Sequence, residues 1–216
     1  PKSWIVRENK ERDKPTSYPD YPHPEAVAVT MHLGQTTTTG GHGGLTTTAT
    51  PNQGKETLID NYSFSGSTLA KAESTSHRLM FVTPTLQQPV HISGTPRIKI
   101  RLACDKPAAN LSVWVVSLPW NDGRNAKITD NIITRGWADP QNYRSITESE
   151  PLEPGRFYEM SFDLQPDDQV IPAGQQIGLM IFSSDREFTL HPEPGTQLTI
   201  DLDATSLALP VLGGKD

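Results

Sequence analysis

Cysteine is nearly absent from this sequence of 216 residues, which contains only Cys104. One thiol cannot form an internal disulfide, and it excludes a structural zinc site of the Cys-rich kind. We expect Cys104 to be a small buried apolar residue. The six histidines are scattered, so no histidine metal site and no cofactor is predicted. Oxygen ligands for calcium exist at Asp167-Asp168 and at Asp201 and Asp203, but without an EF-hand-like loop they favour solvated turns.

An excess of basic charge is also missing, since 19 Lys and Arg residues face 25 Asp and Glu residues, for a net charge of -6. This balance argues against nucleic acid as a partner, because phosphate binding depends on clustered positive charge. Arg97, Lys99 and Arg101 do alternate, but in a strand that spacing places them on one solvated face. No apolar run has the length of a membrane span, so no membrane partner is predicted.

An initiator methionine and a signal-peptide core are absent from the start, Pro1-Lys2-Ser3-Trp4. We therefore expect the chain to be a piece of a longer protein. Its localisation stays open between the bacterial cytoplasm and secretion.

Turn-forming residues, by contrast, are abundant, with 19 prolines and 16 glycines. Pro-to-Gly turns at Pro154-Gly155 and near Gly174 separate short runs that alternate apolar and polar residues, which is strand periodicity. The nearly continuous apolar run from Leu111 to Leu118 is typical of a central strand that is covered on both faces. The sequence predicts an all-β fold, a jelly-roll (galactose-binding-like) β-sandwich with long irregular loops.

Three regions are expected along the chain. Residues 1–25 are punctuated by prolines and predict an extended lead-in or interdomain strap, in which Tyr18 and Tyr21 lie against a sheet. Residues 26–216 form the sandwich. Within it, residues 36–50 are almost entirely Thr and Gly, a composition that favours a mobile loop because it buries little apolar surface.

From about Arg78 onward, the chain resembles the C-terminal domain of Xaa-Pro dipeptidyl-peptidases, cocaine esterase and related serine acyl hydrolases. The resemblance depends on the order and spacing of several short segments. They are Phe81-Val82-Thr83-Pro84 with Pro89-Val90-His91-Ile92-Ser93-Gly94, Asn121-Asp122-Gly123-Arg124 with Ile128-Thr129-Asp130-Asn131-Ile132-Ile133-Thr134-Arg135, Glu153-Pro154-Gly155-Arg156-Phe157-Tyr158-Glu159, and Pro172-Ala173-Gly174-Gln175-Gln176-Ile177-Gly178-Leu179.

The resemblance implies an accessory, non-catalytic domain that supports a hydrolase domain of the same polypeptide and helps to shape its active-site entrance. The catalytic Ser, His and Asp of that family belong to the hydrolase domain. The sequence agrees, because it contains no Gly-x-Ser-x-Gly elbow to present a nucleophile. We therefore predict no catalytic residue in this chain. The implied parent releases Xaa-Pro dipeptides; an esterase or acylase parent, and contacts between copies of the chain, remain open.

Loop aromatics are the candidate functional residues. Trp114 lies inside an apolar run and is expected in the core, whereas Trp120, Trp137 and Tyr143 lie near strand ends or in loops. Exposed aromatics of this kind favour packing against a missing hydrolase domain. The alternatives are a stand-alone carbohydrate-binding module that stacks sugar rings on these side chains, and packing of the aromatics within the domain itself.

Overall fold

A computed structural model describes residues 2–6, 15–36, 41–192 and 194–213. Within these ranges strands make up nearly all of the regular secondary structure, which confirms the all-β prediction. The strands are β1 (Ser3–Ile5), β2 (Thr16–Tyr18), β3 (Ala26–Gly34), β4 (His42–Thr46), β5 (Lys55–Ile59), β6 (Arg78–Val82), β7 (Val90–Gly94), β8 (Arg97–Cys104), β9 (Leu111–Leu118), β10 (Ile132–Ala138), β11 (Phe157–Asp163), β12 (Asp167–Ile171), β13 (Gln176–Phe182), β14 (Gln197–Asp201) and β15 (Ser206–Leu212). One short helix, α1 (Gly66–Lys71), and 3₁₀ turns at Ile128–Asp130 and Pro140–Asn142 complete the described elements.

The larger sheet has the strand order β10-β9-β13-β6-β4-β3-β15-β8-β14-β5, with β11 added on β8 and β7 joining β15 to β12. The sheet folds back on itself as a sandwich, because apolar side chains of β9 and β13 share one core with those of β8 and β14. Only the β4–β6 pair is parallel among the described pairings. Cys104 is buried in this core, as expected.

Strand β8 follows the period-2 pattern. Ile98, Ile100 and Leu102 point into the core and are fully buried. The intervening basic residues lie on the other face, where Arg97 and Lys99 form exposed ion pairs with acidic residues of the neighbouring β11. The alternating basic stretch is thus neutralised within the domain, as a solvated face.

The Thr/Gly tract differs from the sequence-based expectation. His42–Thr46 is strand β4 rather than a loop, paired with β3 on one side and with β6 on the other, and Leu45 is fully buried. Gly43 permits this close pairing, because a Cβ at that position would lie 2.3 Å from the carbonyl oxygen of Gly34 and 2.5 Å from the ring of Phe81. Residues 37–40 of the expected loop lie outside the described residues.

Helix α1 covers the outer face of the β9–β13–β6 layer with Leu69 and Ala70. The hydroxyl of Ser65 caps its N-terminus by accepting a hydrogen bond from the backbone N–H of Thr68. The buried guanidinium of Arg78 ties its other end to β6 by donating to the carbonyls of Leu69 and Ala72. Burial lowers the pKa of Arg78 to about 10.

The lead-in contains β1 and β2, which pair with each other, and its residues 18–23 then form hydrogen bonds with β7 and β12. Tyr18 is buried, and its hydroxyl donates to Asp168 of β12. The hydroxyl of Tyr21 donates to the backbone oxygen of Asp167. The two tyrosines therefore pack against the sandwich as the sequence predicts.

Candidate functional site

The candidate site is built around β9, because this central strand is buried on both faces. Val113 and Val115 point into the main core. Trp114 and Val116 point to the outer face, where they pack with Phe182 of β13 beneath α1. The sequence prediction that Trp114 belongs to the core is confirmed, since it is 1% exposed.

Asp185 joins Trp114 to Trp137. The indole nitrogens of the two tryptophans donate to the same carboxylate oxygen, Oδ2, at 3.2 Å and 3.1 Å. The carboxylate is fully buried, and its Oδ1 has no hydrogen-bond partner among the described residues. A buried carboxylate that accepts two N–H groups fixes both rings in orientation.

The loop that follows β13 is held rigidly in place. The carbonyl of Asp185 accepts hydrogen bonds from the backbone N–H groups of Phe188 and Thr189. The backbone N–H and the hydroxyl of Ser184 both donate to the carboxylate of Asp60, each at 2.9 Å. This network closes a tight turn that presents its apolar side chains outward.

Four residues on this loop and on β10 form what we call the aromatic patch: Arg135, Trp137, Phe188 and Leu190. The rings of Trp137 and Phe188 stack with centroids 5.2 Å apart. The guanidinium of Arg135 lies 4.7 Å from the centroid of Phe188 and 5.9 Å from that of Trp137. Phe188 is 52% exposed and Leu190 is 91% exposed, so the patch offers apolar surface to a partner.

Trp120 lies at the opposite end of β9. Trp137 pairs with Ser112, near the first residue of the strand, whereas Trp120 follows its last residue, Leu118. Leu118 lies six residues further along the extended strand than Ser112, which is a distance of about 20 Å. The half-buried Trp120 packs against the cluster beneath α1 and lines a groove of about 740 Å³. The two tryptophans therefore do not form one platform.

Tyr143 contacts a different set of residues from the two tryptophans. Its ring packs edge to face on Tyr158, with centroids 4.6 Å apart, and against the main core. Its hydroxyl lies 3.4 Å from a carboxylate oxygen of Glu150. These contacts are internal, so Tyr143 braces the loop after β10.

The lead-in supplies a second polar cluster, formed by Tyr18, His91 and Asp168. Nε2 of His91 lies 3.0 Å from Oδ1 of Asp168, and the Tyr18 hydroxyl lies 3.1 Å from the same oxygen. Burial opposes ionisation of Asp168, but hydrogen bonds from His91, Ser93 and Tyr18 and the charge of His91 outweigh it, so its pKa lies below the ordinary value. Burial and the nearby charges of Asp168 and Asp167 raise the pKa of Tyr21.

The acidic residues considered for calcium have other partners. Asp167 and Asp168 begin strand β12 instead of forming a solvated turn. Asp201 pairs with Arg101, and Asp203 accepts the backbone N–H groups of residues 53 and 54. Within the described ranges, no group of three or more His, Cys, Asp or Glu residues is arranged to hold a metal ion. No helix of those ranges is long and apolar enough to cross a membrane.

The aromatic patch, the Asp185 network and the Trp120 groove were only partly visible from sequence. The sequence singles out Trp120 and Trp137 by their positions near strand ends. Asp185 and Phe188 were missed, since neither carries a motif. The one available signal was the apolar Phe188 and Leu190 in an otherwise polar loop.

Comparison with known proteins assigns the family. The model of the X-Pro dipeptidyl-peptidase C-terminal non-catalytic domain matches residues 1–215. A Rhodopirellula baltica relative whose name describes an Xaa-Pro dipeptidyl-peptidase is 65% identical over 213 residues, covering 99% of this chain and 34% of the relative. A Bacillus cereus relative with the same description is 41% identical over 134 residues, covering 62% of this chain and 22% of the relative.

Solved structures share the fold at low sequence identity. An aminopeptidase from a marine sediment thaumarchaeon aligns with a TM-score of 0.73 and 13% identity, over 96% of this chain and 40% of that one. A CocE/NonD family hydrolase from Staphylococcus aureus aligns with a TM-score of 0.66 and 12% identity, over 96% and 40%. The chain thus spans about a third of the length of its Rhodopirellula relative, and it belongs to the X-Pro dipeptidyl-peptidase C-terminal non-catalytic domain family.

Proposed function

We propose that this domain stabilises a serine hydrolase domain of the same polypeptide by docking it through the aromatic patch, and that the complete protein releases Xaa-Pro dipeptides from peptide N-termini. By the family resemblance, the nucleophilic serine, its histidine and its aspartate lie in that hydrolase domain. The accessory domain then supports the hydrolase fold and frames the entrance to its active site.

The observation that carries this proposal is the exposure of Phe188 and Leu190 on a rigid support. An exposed apolar side chain on a flexible loop loses entropy when a partner immobilises it. Here the stacked Trp137 ring and the Asp185 turn have already ordered Phe188. A preordered patch with an aromatic pair and an arginine has the composition of an interface centre.

The choice of peptidase over esterase or acylase follows the names of the sequence relatives. Those from Rhodopirellula baltica and Bacillus cereus are described as Xaa-Pro dipeptidyl-peptidases. The solved hydrolases are below 25% identical and bear on the fold alone. We therefore expect Gly-Pro and Ala-Pro chromogenic anilides to be substrates of the complete protein, and simple aryl esters to be poor ones.

The test replaces Phe188 and Leu190 together by serine in the complete protein and in the 216-residue chain. In the complete protein we expect calorimetry to show a lower unfolding temperature and separate transitions for the two domains, with reduced cleavage of Gly-Pro anilide. In the chain alone, the same change should lower the unfolding temperature much less, because Leu190 is 91% exposed and only the packing of the half-exposed Phe188 on Trp137 is lost.

Ile146→Ser is the matched control, since Ile146 is 91% exposed, the same fraction as Leu190, but lies in the loop after Tyr143. This variant should leave the unfolding temperature unchanged in both proteins, and Gly-Pro anilide cleavage unchanged in the complete protein. If the patch variant of the complete protein unfolded and cleaved Gly-Pro anilide like the wild type, the docking proposal would be wrong. Cleavage of aryl esters without cleavage of Gly-Pro anilide would instead contradict the peptidase assignment.

A further inference from the structure

The second feature of β9 is the groove at its far end, which neither the docking patch nor the family assignment explains. The groove has a volume of about 740 Å³, within the range of roughly 300–1,000 Å³ found for small-molecule sites. Trp120 forms part of one wall. Gln169 of β12 and Gln175, just before β13, line it from the other strands.

The loop that frames the groove is held in one shape by Asn131. The side-chain amide of this buried residue donates to the carbonyls of Ser117 and Pro119, at 2.6 Å and 3.0 Å. Its Oδ1 accepts the backbone N–H of Asn121 at 2.8 Å. Asp130 closes the other side of the loop by accepting from the backbone N–H of Lys127. The groove is therefore preorganised.

The groove lining combines an aromatic ring with polar groups of mixed kind. Besides Trp120 it includes the carboxylate of Asp122, the amides of Asn125 and Gln175, and the ammonium of Lys127. Gln169 is 5% exposed, and its side-chain amide donates a long hydrogen bond, 3.4 Å, to the carbonyl of Ile132. A buried amide that lines a groove provides directional donors and acceptors to a ligand.

This lining selects among ligand classes. A phosphate group would face the carboxylates of Asp122 and Asp130 with only Lys127 to neutralise it, which disfavours nucleotides. A purely apolar ligand would leave the amides without partners. The carboxylate of Asp130 already accepts two protein N–H groups, from Asn121 and Lys127, which disfavours a bound cation.

A neutral sugar meets each requirement. Its ring has an apolar face that can stack on an indole, and its hydroxyls both donate and accept hydrogen bonds. We propose that the Trp120 groove binds a neutral oligosaccharide, with the ring on Trp120 and its hydroxyls on Asp122, Asn125, Gln169 and Gln175. This binding activity is separate from docking, because the groove lies at the opposite end of β9 from the aromatic patch.

The test screens the 216-residue chain on an array of short cello-, xylo-, malto- and chito-oligosaccharides, followed by calorimetric titration with the saccharide that binds best. We expect millimolar or tighter binding, and a loss of at least about tenfold in affinity for Trp120→Ala. Phe188→Ala, at the other end of β9, should bind within about twofold of the wild type.

Asn125→Ala with Gln175→Ala provides a second variant, because Asn125 is exposed and Gln175 only half-buried, so the fold should tolerate both changes. Loss of binding in this double variant supports the proposal even if Trp120→Ala does not fold. Absence of binding to every saccharide on the array would overturn it. The proposal would also be overturned if a folded Trp120→Ala variant, or the double variant, bound the saccharide as tightly as the wild type. None of these outcomes affects the docking proposal, whose readout is the unfolding of the complete protein.

Discussion

The indole nitrogen of Trp137 lies 3.1 Å from Oδ2 of Asp185, the carboxylate oxygen that also accepts the indole N–H of Trp114. One buried carboxyl group thereby orients a core tryptophan and a surface tryptophan. The carboxylate links Trp114 in the interior of the sandwich to Trp137 in the aromatic patch. The core therefore holds the Trp137 ring in one orientation.

Replacing Asp185 by alanine should destabilise the chain by about 2–4 kcal/mol, because the buried indole N–H of Trp114 and the part-buried indole N–H of Trp137 lose their acceptor. Urea unfolding followed by tryptophan fluorescence measures this change directly. Asp185→Asn retains one carbonyl oxygen and should cost less than the alanine variant. Stability of Asp185→Ala within about 0.5 kcal/mol of the wild type would show that the two hydrogen bonds contribute little.

Gly43→Ala tests whether the Thr/Gly tract is a closely packed strand. A Cβ at Gly43 meets the backbone oxygen of Gly34 and the ring of Phe81, so the strands must separate, at a cost of about 1–3 kcal/mol. Gly44→Ala is the matched control, because a Cβ there has open space around it. The free energy of unfolding from urea titration should fall for the first variant and stay nearly constant for the second. Equal tolerance of both would contradict the β4 pairing.

The Tyr18–His91–Asp168 cluster should make attachment of the lead-in sensitive to acid. The folded-state pKa of Asp168 lies below its ordinary value of 3.8, so its ionised form stabilises the fold above that value. This contribution is lost as the pH falls through the folded pKa. The difference in unfolding free energy between wild type and Asp168→Asn should therefore be large at about pH 6 and shrink below about pH 3.8.

Asp163→Asn serves as the control for that measurement. Asp163 also pairs with a cation, Arg97, but both side chains are more than half exposed, and exposed pairs contribute little to stability. The free energy of unfolding of Asp163→Asn should stay close to that of the wild type at every pH. A gap between wild type and Asp168→Asn that stayed constant down to about pH 2 would argue against a stabilising ionised Asp168.

Local periodicity made much of the fold predictable. The alternation in β8 and the continuous apolar run of β9 each depend on neighbouring residues, so both strands and their buried faces follow from the sequence. The chain around Gly94 forms the separate strands β7 and β8, with Gly94 at a φ of 132°. That conformation favours glycine.

The sequence by itself determined the all-β class, the strand positions that have clear alternation and the absence of a nucleophile elbow, because each is a property of short segments. Tertiary structure alone decided that His42–Thr46 is a strand, since its weak local propensity is overridden by pairing with β3 and β6. It also decided that Trp120 and Trp137 face different surroundings. Asp185 is 71 residues from Trp114 and 48 from Trp137 along the chain, and only strand pairing brings these three side chains together.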